Sequence, residues 1–315
     1  LKFIFSLLFF FTYTLTCFAD ELIIEPDRGR EPILTAILNA TSSIDLAMYG
    51  LTDLQFTKAF AKAQQNGKNI RVLLEPHPYK STYENTQAIQ FLRQTPIPLQ
   101  FPSHQFNLLH QKTFLFDQRT ALIMTFNLTH AAFSQAHPRE RNFALLITEP
   151  SMVQEIQAVF NADWQHQSIT VTHPNLVWSP DNSRKKIIDF IHQAKTDIKI
   201  YTENITDYQI IGALANVSRS HVNVQILLSS KPNRKSWNYL TRAGVAIHVS
   251  PYTLIHAKVI MIDQARAMVG SINLTAPSLD KNRELSVITD NKSIIQLLIN
   301  TFRYDLSECH FQKIF

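Results

Sequence analysis

Two stretches of this chain align without a gap at an offset of 154 residues: LIIEPDRGREPILTAILNATSSIDLAMYGLTDLQ from Leu22 and LVWSPDNSRKKIIDFIHQAKTDIKIYTENITDYQ from Leu176. The alignment continues to Pro78 and Pro232, with Pro26/Pro180, Asp27/Asp181, Arg30/Arg184, Ile33/Ile187, Ile37/Ile191 and Asp53/Asp207 among its matches. A long unit present twice demands two similar globular halves, whereas a solenoid needs at least about three shorter repeats. The 315 residues suffice for two halves of ordinary domain size. The Pro-rich run from His173-Pro174 to Pro180 places the boundary near residue 172, giving units 20–172 and 173–315.

Within each unit the hydrophobic period changes along the chain. Ile33, Ile37 and Ala40 have helical spacing after Asp27, which marks a plausible cap region. SIDLAMYG and DIKIYTEN alternate and read as strands. LQFTKAFAKAQQNG reads as a helix stopped at Gly67, and NIRVLLEP and NVQILLSS read as short buried strands. Strands alternating with helices predict an α/β fold: two similar sandwich units with mixed, largely parallel sheets, packed about a pseudo-twofold axis.

A second echo is chemical. LLHQKTFLFD places His110, Lys112 and Asp117 in an apolar run; LIHAKVIMID, 146 residues on, places His256, Lys258 and Asp263 alike. Asn127 and Asn273 extend the correspondence, so each unit carries H-x-K-x4-D-x9-N. One short motif is weak; two at equivalent places of a repeat are far stronger than a pair of unrelated core histidines. On a strand, residues i and i+2 share a face, so each histidine projects with its lysine while Leu109, Gln111 and Thr113 turn away. DQRTA and DQARA then form hairpin turns, and an aspartate heading a turn commonly binds backbone N–H groups. For Asp117 and Asp263 that structural role is favoured over a direct chemical one.

Two lysines and two asparagines brought together across the axis would clamp a tetrahedral anion. One neutral imidazole can attack phosphorus while the other, protonated, donates to the leaving oxygen. No His/Cys/Asp spacing of the zinc type is present, so no metal and no cofactor is expected.

This pattern resembles the phospholipase D superfamily, whose signature is H-x-K-x4-D-x6-G-S-x-N. The second copy matches throughout, including Gly270, Ser271 and Asn273. The first has Met124-Thr125 in place of Gly-Ser, which weakens the expectation of close backbone approach to a ligand there. The resemblance implies an active site at the interface of the units, a phosphohistidine intermediate, and phosphate contacts from Asn127, Asn273, Ser271 and Thr125. It also implies an acidic residue beyond the asparagine that orients an imidazole. Glu284 fills that place in the second unit; in the first, Asn142 or Phe143 stands there and Glu140 is the nearest carboxylate. The first copy is therefore expected to be the weaker one, lacking a charged orienter. His110 is assigned as nucleophile and His256 as acid and base.

The N-terminus, LKFIFSLLFFFTYTLTCFADE, reads as an export signal with Lys2 ahead of an apolar core and cleavage after Ala19. The alternative is an anchor formed by residues 3–18. Secreted or periplasmic location is expected. With only Cys17 and Cys309 in the chain, cleavage leaves one thiol and no intrachain disulfide. A net charge of +5 suits an anionic partner, either a phospholipid or membrane surface or nucleic acid. No run of Arg and Lys interleaved with aromatics is read as a nucleic-acid track. Phe101, Phe106 and Tyr252 are candidates for the cleft rim. The first reading is a secreted hydrolase of phospholipid head-group phosphodiesters; the alternatives are a non-specific endonuclease and a non-catalytic phosphate- or membrane-binding module. Because both motifs lie in one chain, no partner chain is needed to complete the site.

Overall fold

The computed structural model describes residues 20–78 and 84–309; the export signal read at residues 1–19 lies outside the described residues. The first half runs β1 (Glu21–Glu25), α1 (Glu31–Asn39), β2 (Ser43–Met48), α2 (Leu54–Gln65), β3 (Asn69–Leu74), α3 (Thr86–Arg93), β4 (Leu99–Gln100), β5 (Lys112–Phe116), β6 (Thr120–Met124), β7 (Arg139–Ile147) and α4 (Pro150–Trp164). The second runs β8 (Leu176–Ser179), α5 (Ser183–His192), β9 (Asp197–Tyr201), α6 (Tyr208–Arg219), β10 (Asn223–Leu228), α7 (Arg234–Arg242), β11 (Ala246–Val249), β12 (Thr253–Ile255), β13 (Val259–Ile262), β14 (Arg266–Gly270), α8 (Ala276–Asp280), β15 (Glu284–Thr289) and α9 (Lys292–Glu308).

The two halves are two α/β units with mixed sheets. The first sheet has the order β1-β7-β6-β5-β2-β3-β4 and the second β11-β10-β9-β13-β14-β15-β8. Pairing is parallel through β2, β3 and β4, and through β9, β10 and β11. It is antiparallel through the β5–β6 and β13–β14 hairpins and the strands beyond them. One strand crosses over: β12 of the second half pairs parallel with β7 of the first.

Apolar side chains form one core beneath the helices of each half and a third between the sheets. The central core combines Leu115, Ile123 and Leu145 with Met261, Val269 and Val287, and α4 and α9 close it with Val159, Phe160, Leu298 and Phe302. The halves therefore share their largest apolar interface, and burial of this kind is the main term that holds them together.

The polar matches of the repeat have identifiable work. Asp53 and Asp207 cap α2 and α6, accepting from Gln55 N and from Gln209 N and Ile210 N. Each cap is held by its repeat-mate arginine: Arg30 Nε lies 2.5 Å from Asp53 and Arg184 2.7 Å from Asp207. Asp27 does not cap α1, whose N-cap is Arg30. Its carboxylate accepts instead from Arg141 at 2.8 Å, and Asp181 accepts from Arg283 at 2.8 Å.

Glu25 departs from the symmetry, because its counterpart is Ser179. The side chain is fully buried; Gly29 N donates to one oxygen, and the other, Oε1, has no hydrogen-bond partner. Burial pushes this carboxyl from 4.5 up to about 8. A raised folded-state value means the associated stability is complete below pH 4.5 and is lost as pH climbs towards 8. At about 1.4 kcal/mol per unit, roughly 3 kcal/mol is gone by pH 7. Glu25→Gln keeps the shape and cannot ionise. Its melting temperature is expected to match the wild type near pH 5 and to exceed it by about 5 °C at pH 7.5. Superimposable melting curves across that range would refute the assignment.

Candidate active site

Each histidine sits where one half crosses the other. His110 precedes β5 rather than lying within it, and its N–H donates to Arg283 O at 3.0 Å while Arg283 N donates to Leu108 O at 2.9 Å. Symmetrically, β12 runs alongside β7, and Ala257 N donates to Arg141 O at 3.0 Å. These arginines are buried anchors. Arg283 binds Asp163 of α4 through two bonds of 2.7 and 2.8 Å, and Arg141 binds Asp305 of α9 through two of 2.9 and 3.0 Å.

The crossing changes which residue orients which imidazole. Glu284, from the second half, holds His110 Nδ1 of the first at 2.8 Å. Asn142, from the first half, holds His256 Nδ1 of the second at 3.0 Å, with Glu140 Oε1 also 3.2 Å away. The expectation that the first copy lacks a charged orienter is therefore corrected: His110 has the buried glutamate, and the amide serves His256. An ionised carboxylate only accepts, so Nδ1 of His110 carries its proton and Nε2 presents a lone pair. Glu284 is fixed in turn by Ser278 Oγ at 2.5 Å and Asn282 Nδ2 at 3.1 Å. Burial opposes its ionisation, but His110, Lys112 and the Ser278 hydroxyl together lower its pKa.

Lys112 and Lys258 are almost fully buried, and each Nζ donates to the carbonyl of the histidine two residues before it. Burial, reinforced by Lys258, brings Lys112 down to about 7. Burial also lowers both imidazoles, His256 more strongly, with the lysines adding to the effect. Lys112, at about 7, and Lys258 thus lie beside two imidazoles whose protonation burial disfavours.

Other predicted residues serve the frame. Asp117 and Asp263 bind the start of the neighbouring strand: Asp117 accepts from Thr41, Ser42 and Ser43 N–H groups, and Asp263 from Lys195, Thr196 and Asp197. Burial works against ionisation of Asp117, yet these bonds hold it at about 2. They also secure the turns, where Asp117, Gln118, Asp263 and Gln264 all adopt positive φ.

Thr125 and Ser271 are not placed as ligands of an anion. Thr125 Oγ donates to Asn142 Oδ1 at 2.9 Å and accepts from Phe143 N at 3.0 Å. Ser271 is buried, with its hydroxyl 3.3 Å from Leu285 N. The glycine of the second motif answers to strand packing, since a Cβ on Gly270 would stand 2.3 Å from Leu285 O and 2.4 Å from Ser286 Cα. Met124 fits the same place in the first half, where its partner across the strands is Ala144 instead of Ser286. Asn273 Nδ2 lies 3.4 Å from Glu203 beside Lys258, and the Oδ1 of Asn127 and of Asn273 is buried with no hydrogen-bond partner among the described residues.

Glu203, which motif reading passes over, completes the second half. Its Oε2 lies 3.0 Å from Lys258 Nζ, 3.7 Å from His256 Nε2 and 3.4 Å from Asn273 Nδ2. Lys258 is the main reason its carboxyl is held far below the usual carboxylate range. The repeat places Tyr49 opposite it, edge-on to His110 at 4.7 Å and 5.0 Å from Lys112 Nζ. The available signal was position: Glu203 follows the carboxyl end of parallel strand β9, where open α/β sheets bind ligands. Of the aromatics, Phe106 packs under Arg283 at 4.7 Å, Phe101 O accepts from His166 at 2.9 Å, and Tyr252 is half exposed.

Two oriented imidazoles and two buried lysines where the halves cross mark an enzyme of phosphodiester chemistry in the phospholipase D class. The family model described as "Cardiolipin synthase, PLD-like domain" matches residues 33–164 and 187–306, and the chain belongs to that family. It is 24% identical over 321 residues to cardiolipin synthase B of Salmonella typhi, covering 88% of this chain and 78% of that protein. It is 23% identical over 256 residues to a cardiolipin synthase of Halalkalibacterium halodurans, covering 70% of this chain and 50% of that one. In fold it is similar to the phosphatidylserine synthase of Haemophilus influenzae, with a TM-score of 0.67 at 12% identity over 92% of this chain and 86% of the other. It is similar also to the polyphosphate kinase of Porphyromonas gingivalis, with a TM-score of 0.73 at 14% identity over 91% of this chain and half of the kinase.

Proposed function

We propose that this chain cleaves the head-group phosphodiester of phospholipids through a phosphohistidine on His110, with water as the acceptor. The observation that carries the reading is the unequal orientation of the imidazoles: a fully buried carboxylate at 2.8 Å on His110 Nδ1, and on His256 Nδ1 an amide oxygen at 3.0 Å, with the Glu140 carboxylate farther off at 3.2 Å and bonded to that amide. A carboxylate raises the basicity of the imidazole it holds and stabilises its positive charge, whereas an amide mainly fixes the tautomer.

In the first step His110 Nε2 donates its lone pair to phosphorus. The bond from phosphorus to the head-group oxygen breaks, and His256, protonated at Nε2, supplies the proton that oxygen needs. Burial and Lys258 disfavour the imidazolium of His256, and an anionic phosphate between Lys112 and Lys258 offsets the charge part of that effect. In the second step water attacks phosphorus, His256 takes its proton, and the phosphorus–nitrogen bond breaks. Asn127, Asn273 and the lysines hold the non-bridging oxygens throughout. The positive charge comes from the chain's own lysines, so EDTA is expected to leave the rate unchanged.

Lipid is favoured as substrate because the similar proteins include synthases of cardiolipin and phosphatidylserine. Export, or anchoring through residues 3–18, remains part of this reading and would place the enzyme beside a membrane. The deciding assay compares the full chain on phosphatidylcholine, phosphatidylglycerol, cardiolipin and plasmid DNA, with and without added glycerol as a competing acceptor. Head-group release without DNA nicking supports the proposal. Nicking without release would establish the endonuclease instead, and products carrying glycerol in place of water would make the chain a transferase.

Glu203 makes with Lys258 and Asn273 the contacts assigned to phosphate. A carboxylate there competes with an anionic ligand, and removing one like charge at about 4 Å is worth about 1–4 kcal/mol as the effective dielectric constant runs from about 80 to 20. Glu203→Gln is therefore expected to strengthen competitive inhibition by inorganic phosphate about tenfold at pH 7. An unchanged inhibition constant would show that Glu203 stands clear of the phosphate.

A further inference from the structure

Between Asp207 and Asp263 the chain contains no aspartate or glutamate. The same stretch carries Arg219, Lys231, Arg234, Lys235 and Arg242, all exposed. None of the five forms an ion pair among the described residues. The corresponding stretch of the first half contains Glu75 and Glu84, so this is a property of one half and not of the repeat.

The cations are interleaved with aromatic rings. Lys231 Nζ lies 5.4 Å from the centre of the Trp237 ring and Arg219 5.2 Å from that of Tyr239, itself 45% exposed. The run KPNRKSWNYLTR sets four of these cations beside Trp237 and Tyr239, an interleaving that motif comparison between the halves does not single out. Arg234, Lys235 and Arg242 lie on α7, Lys231 just ahead of it and Arg219 at the end of α6, while Leu240 turns into the core.

The face is joined to the site. Ser229, which opens the segment leading to α7, is hydrogen-bonded to the backbone of Ile255, the last residue of β12 and the neighbour of His256. Tyr252 and Leu254, two residues apart at β12, are 50% and 44% exposed. Glu308 is the carboxylate bonded to this strand, and it is already engaged by Thr253 Oγ and Arg139.

We propose that the basic, aromatic face of α7, together with Tyr252 and Leu254, docks on an anionic phospholipid surface and presents a lipid head group to the His110–His256 cleft. The inference rests on the lipid reading given above. A cationic segment free of acidic residues of its own is complementary to anionic head groups, each Lys or Arg near such a surface contributing roughly fivefold in partition. Tyr and Trp favour the bilayer interface, where ring and polar tip are both accommodated. Two exposed apolar side chains leading into the catalytic strand suit shallow insertion among acyl chains, for which a nucleic acid offers no counterpart.

The test uses the full chain carrying His110→Ala, so that vesicles stay intact, and its derivative with Lys231→Gln, Arg234→Gln and Lys235→Gln. Sedimentation is measured with vesicles of phosphatidylglycerol and of phosphatidylcholine. The parent is expected to prefer phosphatidylglycerol, with the preference falling at least about tenfold in the triple variant. In the otherwise wild-type chain the triple change is expected to leave hydrolysis of a soluble short-chain phosphodiester unaltered. Equal preference in parent and variant would overturn the docking surface, even if head-group release is observed. Weak vesicle binding with tight binding of single- or double-stranded DNA, lost in the same variant, would overturn the lipid occupant and count against the proposed substrate as well.

Discussion

Replacing His110 with alanine is expected to lower turnover by about four orders of magnitude or more, because the covalent route is closed. His256→Ala should behave differently. With p-nitrophenyl as leaving group the first step needs little acid, so His110 can still attack. The second step, which needs a base to activate water, stalls. The variant should release about one equivalent of nitrophenol in a burst and retain phosphorus on residue 110. Mass spectrometry of the trapped protein decides the matter: a phosphorylated His256 in the wild-type chain would reverse the two roles. A variant lacking both histidines with undiminished activity would remove every enzymatic reading. The expectation draws on Glu284, whose buried carboxylate lies 2.8 Å from His110 Nδ1. Glu284→Gln keeps the hydrogen bond but removes the charge. It should slow the step that forms the intermediate more than it weakens binding of inorganic phosphate.

The repeat was legible because its matches are residues with local duties: a helix cap, the arginine that braces it, and a strand-binding aspartate. Such duties are carried out within a few elements, so spacing alone exposes them. The pairing of Glu284 with His110 was not legible. Alignment equates Asn142 with Glu284 but says nothing about which half each reaches into, since that depends on β7 and β15 exchanging neighbours with the opposite motif. The same holds for Thr125 and Ser271. A family pattern places them beside the asparagine, while their hydroxyls are taken by the backbone of the next strand. Glu203 was hidden for another reason. It occupies a position where the halves differ, and comparison of repeats reveals what is shared.

Truncation of Arg283 tests that crossing most severely. Its side chain is 4% exposed, its guanidinium binds Asp163 twice, and its own backbone pairs with Leu108 and His110. Arg283→Ala strands a buried aspartate without a partner, a change that typically costs 3–5 kcal/mol. It also loosens the element that carries Glu284, so activity should fall beyond what the unfolded fraction explains. A second variant separates the two effects. Arg283→Met combined with Asp163→Leu removes both charges and keeps the volume, and such exchanges are often neutral or stabilising. The double variant is expected to melt close to the wild type, while Asp181 loses its partner at the rim. If its turnover also recovers, packing alone is enough to hold Glu284 against His110. If it melts normally but turns over slowly, the ion pair sets the register between the halves, and the buried charges are retained for geometry more than for stability. A double variant as unstable as Arg283→Ala would instead mean that no apolar filling replaces the fork, and that this pair is a net contributor to the fold.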